Sequence, residues 1–304
     1  MTPRVFRFLA LFAFAACTDD GAEREVVVFN AGSLARPLRA VLDTFAAREG
    51  ITVAQESAGS LESARKLTEL GKIPDLIALA DAEVFPRYLI PAYLDGYVEF
   101  ARNRMVIAYT DRSRFASEMD SASWWRIAVR PGVETGRSDP QLDPNGYRTL
   151  LVWQLAERHY AEPGLAARLA EASPARNVRP KEADLVGLLQ AGELDYIWSY
   201  ESIARATGLR YVTLPPEVDL SSSDSVIAVG YATASVRVRG ARVGDSVIFR
   251  GAPIVYAFGV PRGAPHPALA KRLAEFLLSD DGRRILRAEG LDAIESPVRR
   301  GALP

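Results

Sequence analysis

The tetrapeptide Ala-Gly-Ser-Leu occurs twice, at 31–34 and 58–61, each time between a β-branched run and an apolar periodic segment. Glycine lets a backbone approach a bound group closely, and serine offers a hydroxyl and a helix cap. The first amides of a helix lack intrahelical partners, and the macrodipole adds partial positive charge there. Two such helix starts on neighbouring strand ends can converge on one small anion without a cationic side chain. Either serine alone reads as a plain cap. The identical repeat favours a binding role for Gly32, Ser33 and Ser60.

Other candidates are weaker when taken alone. Asp143 reads as a turn residue before Pro144, and Glu182 as an acid in the first turn of a helix. Asp139 and Asp143 each precede a proline and could form an acid pair, but no nucleophile or base accompanies them. His159 reads as a surface residue, His266 as the start of the last helices, and Trp124-Trp125 as a core anchor. Arg283, Arg284 and Arg287 recur on a helix beside acids and read as a solvated face, with docking to another protein the weaker reading.

The elements that must position these residues follow from periodicity. Glu25–Asn30 is β-branched and predicts a buried strand; Leu34, Leu38, Val41, Leu42 and Phe45 then share one face of a helix that Gly50 stops. The pattern repeats, with a strand over Ile51–Glu56, a helix to Gly71 and a strand over Asp75–Ala80. Strands are also expected at Arg104–Tyr109, Asp195–Tyr200, Val226–Tyr231 and Pro253–Val260. Helices are expected with Tyr147, Leu151 and Leu155 on one face, in a shorter segment ending at Gly192, and over His266–Leu278 and Asp281–Ala288. Strands alternating with helices predict an α/β fold with mostly parallel sheets.

Composition sets the outer bounds. The chain has 304 residues, 48% hydrophobic and 25% charged, enough for two cores. With 37 basic and 38 acidic residues there is no positive field to attract nucleic acid. One cysteine and two histidines exclude a disulfide framework and a Cys/His zinc cluster. Arg4 and Arg7 precede an apolar run from Val5 to Ala16, too short to span a bilayer but suited to an export signal over 1–16, with a polar linker over 17–24. The run ends at Cys17 and resembles a bacterial lipoprotein signal, in which the cysteine is acylated. Phe14 replaces the aliphatic residue usual there. No later stretch is long and apolar enough to cross a membrane.

The stretches Phe29-Asn-Ala-Gly-Ser-Leu34, Ser57-Ala-Gly-Ser60, Gly136 through Arg148 and Arg179-Pro-Lys-Glu182 resemble, in order, the molybdate/tungstate-binding proteins of ABC importers. They are most similar to the tungstate-type branch first known from archaea, over about Glu25 to Pro297. That resemblance implies a two-lobed periplasmic-binding-protein type II fold. The first lobe would comprise 25–110 and 225–304, the second 111–224, joined by crossing strands at Met105–Tyr109 and Val226–Tyr231. It implies that Ser33 and Ser60 donate hydrogen bonds to a bound oxyanion, faced by Tyr200 and by Asp143 and Glu182 as added ligands to its metal. Asn145 stands where the family often has cysteine, and Trp198-Ser199-Tyr200 where Phe-Glu-Tyr is common.

Acids beside a dianion need a reason, since contact repulsion in a dehydrated cleft costs several kcal/mol. Molybdenum(VI) and tungsten(VI) expand from four to six oxygens, which sulfur does not, so the two acids would also penalise sulfate. The resemblance further implies no cofactor, an extracytoplasmic monomer tethered only through lipid at Cys17, and an ABC permease with its ATPase as partners. The alternatives are a binder of phosphate or sulfate and, more remotely, a phosphoryl- or sulfuryl-transfer hydrolase using Ser33 or Ser60 as nucleophile.

Overall fold

The first β-branched run forms a strand as its residues dictate, in the computed structural model, which describes residues 25–302. The expected export signal over 1–16, the linker over 17–24 and acylation at Cys17 lie outside those residues. The chain begins β1 (Glu25–Ala31), α1 (Ala35–Glu49), β2 (Thr52–Ala58), α2 (Ser60–Thr68), β3 (Leu76–Leu79) and β4 (Gly96–Arg102). Next come β5 (Met105–Tyr109), α3 (Trp124–Ala128), β6 (Thr135–Ser138), α4 (Pro144–His159), α5 (Leu165–Ala172), β7 (Val178–Arg179), α6 (Ala183–Ala191), β8 (Tyr196–Tyr200), α7 (Glu201–Ala206) and β9 (Arg210–Thr213). The last third contains α8 (Ser225–Tyr231), the hairpin β10 (Ser235–Arg239) and β11 (Ser246–Arg250), β12 (Val255–Gly259), α9 (Pro267–Leu278), α10 (Asp280–Ala288) and β13 (Asp292–Gly301).

Two larger sheets result. One has the order β13-β4-β12-β3-β1-β2, the other β7-β6-β8-β5-β9. Both are mixed rather than mostly parallel: β1 runs parallel to β2 and β3, and β6 to β7 and β8, while β12, β13 and β5 pair antiparallel. Parallel pairs need a crossover of a dozen or more residues, which α1, α2 and the α4–α5 segment supply. Helix α1 lays Leu38, Val41, Leu42 and Phe45 into the first core, each worth roughly 1.5–3 kcal/mol on burial. Gly50 ends it in the left-handed conformation (φ 65°), its N–H returning to the Ala46 carbonyl. In the second lobe Trp124 is the expected core anchor, edge-on to Trp198 at 5.6 Å with its indole N–H donating to the Tyr160 hydroxyl.

Two expectations about the crossings need correction. Strand β5 pairs with β8 and β9, so it belongs to the second sheet, and the passage between sheets is at residues 103–104 rather than at 110. The run Val226–Tyr231, read as a strand, is helix α8. The Asp224 carboxylate accepts from the Val226 and Ile227 amides, meeting the backbone need that otherwise favours a strand ladder. Val226 and Val229 are 80% and 72% exposed, so of the β-branched residues there only Ile227 packs against the core. The return crossing is instead the stretch around Asp219 and Leu220, whose carbonyls accept from the Met105 and Ile254 amides.

Candidate functional site

The two repeats begin at paired positions. β1 and β2 run in register with Ala31 opposite Ala58, so both Gly-Ser turns leave the same sheet edge side by side. The first becomes a single 3-10 turn over Gly32–Leu34, and the second opens α2 directly. Neither serine caps its helix. Ser60 is fully buried, and its Oγ accepts from the Ala80 amide at 3.0 Å. Ser33 Oγ accepts from the Tyr256 hydroxyl at 3.0 Å, while Asn103 Nδ2 donates to that same tyrosine oxygen at 2.9 Å. The bland reading of the serines therefore fails, and so does one part of the functional reading. The Leu61 and Glu62 amides at the start of α2 are taken by the Leu142 carbonyl of the second lobe, at 3.1 and 3.3 Å.

That contact shows the lobes closed on one another. A Cβ on Gly59 would sit 2.2 Å from the Leu142 oxygen and 3.2 Å from the Asp143 Cα. One on Gly32 would meet the Lys181 side chain at 3.5 Å, next to Glu182. Glycine is needed at 59 for approach alone, since its φ of −63° suits any residue.

The second lobe contributes its acids from helix starts. Asp143 is the N-cap of α4 and Glu182 that of α6, where the positive ends of the helix dipoles favour negative charge. Asp143 Oδ2 accepts from the Glu182 amide at 2.9 Å, and Oδ1 from the Asn145 amide at 3.4 Å. Glu182 Oε1 accepts from Ser199 Oγ at 2.6 Å and from the Tyr200 amide at 2.5 Å. Glu182 Oε2 is buried and has no partner among the described residues. Burial pushes the Glu182 carboxyl up to about 8, with the neighbouring Asp143 charge adding to it. Burial raises Asp143 to about 6, opposed by the Glu182 amide.

Tyr200 ends β8, and burial holds its phenol well above its usual range. Its oxygen accepts from Arg148 Nη1 at 2.8 Å. Ser33, Ser60 and Tyr200 thus share one arrangement. Each hydroxyl oxygen accepts from a protein donor, and none of the three hydrogens has an acceptor among the described residues. Three O–H donors and one carboxylate oxygen without partners among the described residues therefore lie on elements that meet at the lobe junction. Such a set suits a group presenting oxygen acceptors around a centre that itself accepts oxygen.

All six residues expected at the site, Gly32, Ser33, Ser60, Asp143, Glu182 and Tyr200, are brought to this junction through the contacts above. Sequence reasoning missed Arg148, Asp81, Asn103 and Tyr256. Arg148 is buried, donates to the Ala80 carbonyl at 2.7 Å, and lies 3.1 Å from the Asp81 carboxylate. It stands in phase with Leu151 and Leu155 on the buried face of α4, and an arginine on an apolar stripe requires a buried partner; that signal was readable. Tyr256 within Val-Tyr-Ala-Phe-Gly carried none. The minor candidates fall elsewhere. Asp139 Oδ1 only closes a turn with the Gln141 amide, His159 is exposed, and the His266 amide donates to Asp75 at 2.6 Å. Arg283, Arg284 and Arg287 pair with Asp280, Asp281 and Glu295.

Comparison with known proteins agrees with this architecture. A family model described as bacterial extracellular solute-binding protein matches residues 26–292. An uncharacterized solute-binding protein of Petrotoga mobilis is 42% identical over 291 residues, covering 95% of this chain and 90% of that one. The molybdate/tungstate-binding protein WtpA of Pyrococcus abyssi is 35% identical over 315 residues, covering 94% and 90%. Among solved structures, the periplasmic molybdate-binding protein of Azotobacter vinelandii superposes with a TM-score of 0.61 at 14% identity, over 88% of this chain and 98% of that one. The sulfate-binding protein SubI of Mycobacterium tuberculosis gives 0.62 at 16% identity, over 89% and 87%. Both share its two-lobed periplasmic-binding fold.

Proposed function

This chain belongs to the bacterial extracellular solute-binding proteins, and we propose that it captures tungstate or molybdate for an ABC importer. Proteins of this family bind their solute without turnover and work with the components of an ABC transporter. No helix among the described residues is long and apolar enough to cross a membrane, and a lipid at Cys17 would supply the tether.

The observation that carries the reading is the buried, unpartnered Glu182 Oε2, together with the Ser33, Ser60 and Tyr200 hydroxyls at the same lobe junction, whose hydrogens have no acceptor among the described residues. The anion docks on Ser33 and Ser60 of the first lobe. Rotation of the second lobe then brings Tyr200, Asp143 and Glu182 onto it. The hydroxyls donate to oxo groups, and the two carboxylates add to the tungsten or molybdenum, taking it from four to six oxygens. Arg148, buried beside the acids, offsets part of their charge. A hydrolase built on Ser33 or Ser60 lacks support, because neither histidine lies at the junction and neither serine touches a base.

Phosphate remains the competing ligand for one specific reason. A Glu182 carboxyl held at about 8 is protonated at neutral pH and could donate to a phosphate oxygen. Calorimetry of the full chain with tungstate, molybdate, sulfate and phosphate at pH 8 is the test, joined to X-ray absorption at the tungsten edge. Tight uptake of the two metal oxyanions with six-coordinate tungsten is expected. Tighter phosphate or sulfate binding, or four-coordinate tungsten, overturns the reading.

A further inference from the structure

Arg148 uses its guanidinium to touch both lobes at once. Carried by α4 of the second lobe, it donates through Nη1 to the Ala80 carbonyl of the first lobe at 2.7 Å and to the Tyr200 oxygen of its own lobe at 2.8 Å. Its Nη2 lies 3.1 Å from the Asp81 carboxylate, which also accepts from the Tyr147 hydroxyl. Ala80 is in turn the residue whose amide donates to Ser60 Oγ. We propose that Arg148 is a positioning residue that makes the hydrogen-bonding state of Tyr200 depend on lobe closure, with Asp81 as its latch on the first lobe. This rests on the anion reading only for the identity of what Tyr200 contacts.

A phenol can donate one hydrogen and accept at its oxygen. In the closed form Arg148 occupies the acceptor side, so the hydrogen is left for the bound group. The same guanidinium is held from the other side by Ala80 and Asp81, which separate from α4 when the lobes part. Opening therefore releases Arg148 to water and lets the Tyr200 hydroxyl rotate. Closing restores the fork, whose planar geometry suits a carboxylate and a carbonyl together. The pair is buried when closed and hydrated when open, so it favours closure only while every partner is in place.

A double-mutant cycle on the full chain tests the route, with tungstate as the probe and calorimetry as the readout. Arg148→Lys and Tyr200→Phe should each weaken binding about tenfold, and the double variant should bind within about threefold of Tyr200→Phe alone. Losses that multiply to about a hundredfold overturn the route through Tyr200. Small-angle scattering at saturating tungstate, where the lobes are shut, tests the latch. Asp81→Asn, which keeps the shape and leaves Arg148 on Tyr200, should enlarge the radius of gyration relative to wild type. An unchanged radius overturns the latch. If wild type takes up no tungstate, the anion reading fails, and the same scattering comparison at saturating phosphate or sulfate decides the role of Asp81.

Discussion

At the residue scale, Glu182 is the most informative side chain because its two oxygens differ. Oε1 accepts from Ser199 and the Tyr200 amide, and Oε2 accepts from nothing among the described residues. A carboxyl raised from 4.5 to about 8 holds its proton in the folded chain at pH values where the unfolded chain has lost it. Its contribution to stability is therefore full below pH 4.5 and is lost as pH rises through 8. Glu182→Gln removes this dependence, so ligand-free wild type should lose thermal stability between pH 5 and 9 relative to the variant, as read by melting temperature at each pH. Equal slopes for the two proteins would mean the carboxyl is not buried as described. The same proton separates the candidate ligands. Coordination to a metal needs the carboxylate, so tungstate affinity should rise as pH approaches 8, with a proton released on binding at pH 7. Phosphate accepting from the protonated acid should bind more weakly over the same rise. Calorimetry at pH 7 in buffers of different ionisation enthalpy distinguishes the two signs.

At the element scale, the repeat of strand, Gly-Ser turn and helix was legible because it depends on local chemistry. β-branched runs, a glycine and an in-phase apolar stripe suffice to specify β1, α1, β2 and α2. What the turns do was only half legible. That Ser60 accepts from Ala80, and that Leu142 covers the start of α2, depends on segments far along the chain. Helix α8 was misread for a related reason. Its valines face outward, so apolar content misled, and the capping Asp224 was the better signal. Removing that cap with Asp224→Ala should lower stability by about 1 kcal/mol in denaturant unfolding without altering anion affinity. Gly59 makes the opposite test. A methyl there meets backbone at 2.2 Å only when the lobes are shut, so Gly59→Ala should fold normally, weaken anion binding at least tenfold and give a larger radius than wild type in scattering at saturating tungstate. Undiminished binding would show that closure does not bring Leu142 onto α2.

At the scale of the whole molecule, the two sheets meet through few connections, and one of them is wired to the site. Between β4 and β5 the chain passes through Asn103 and Arg104. Asn103 Nδ2 donates to Ser202 Oγ of the second lobe at 2.7 Å and to the Tyr256 hydroxyl of the first at 2.9 Å, and its Oδ1 accepts from the Arg104 amide. Since Tyr256 accepts from Asn103, its own hydrogen goes to Ser33, and Ser33 keeps its hydrogen for a ligand. The orientation of an anion donor is thus set at the crossing, which no local pattern around Asn103 could reveal, because its partners lie 99 and 153 residues away. Asn103→Ala leaves Tyr256 without that donor, so the tyrosine can turn and accept from Ser33 instead. The loss of one hydrogen bond to a charged group is worth about 1.5–3 kcal/mol. Anion affinity should therefore fall by roughly ten- to a hundredfold, seen by calorimetry with tungstate. Asn103→Asp tests the direction of the chain, since a carboxylate accepts from Tyr256 and turns its hydrogen away from Ser33. It should bind no better than Asn103→Ala, and near wild-type affinity for Asn103→Asp would break the relay from the crossing to the serine.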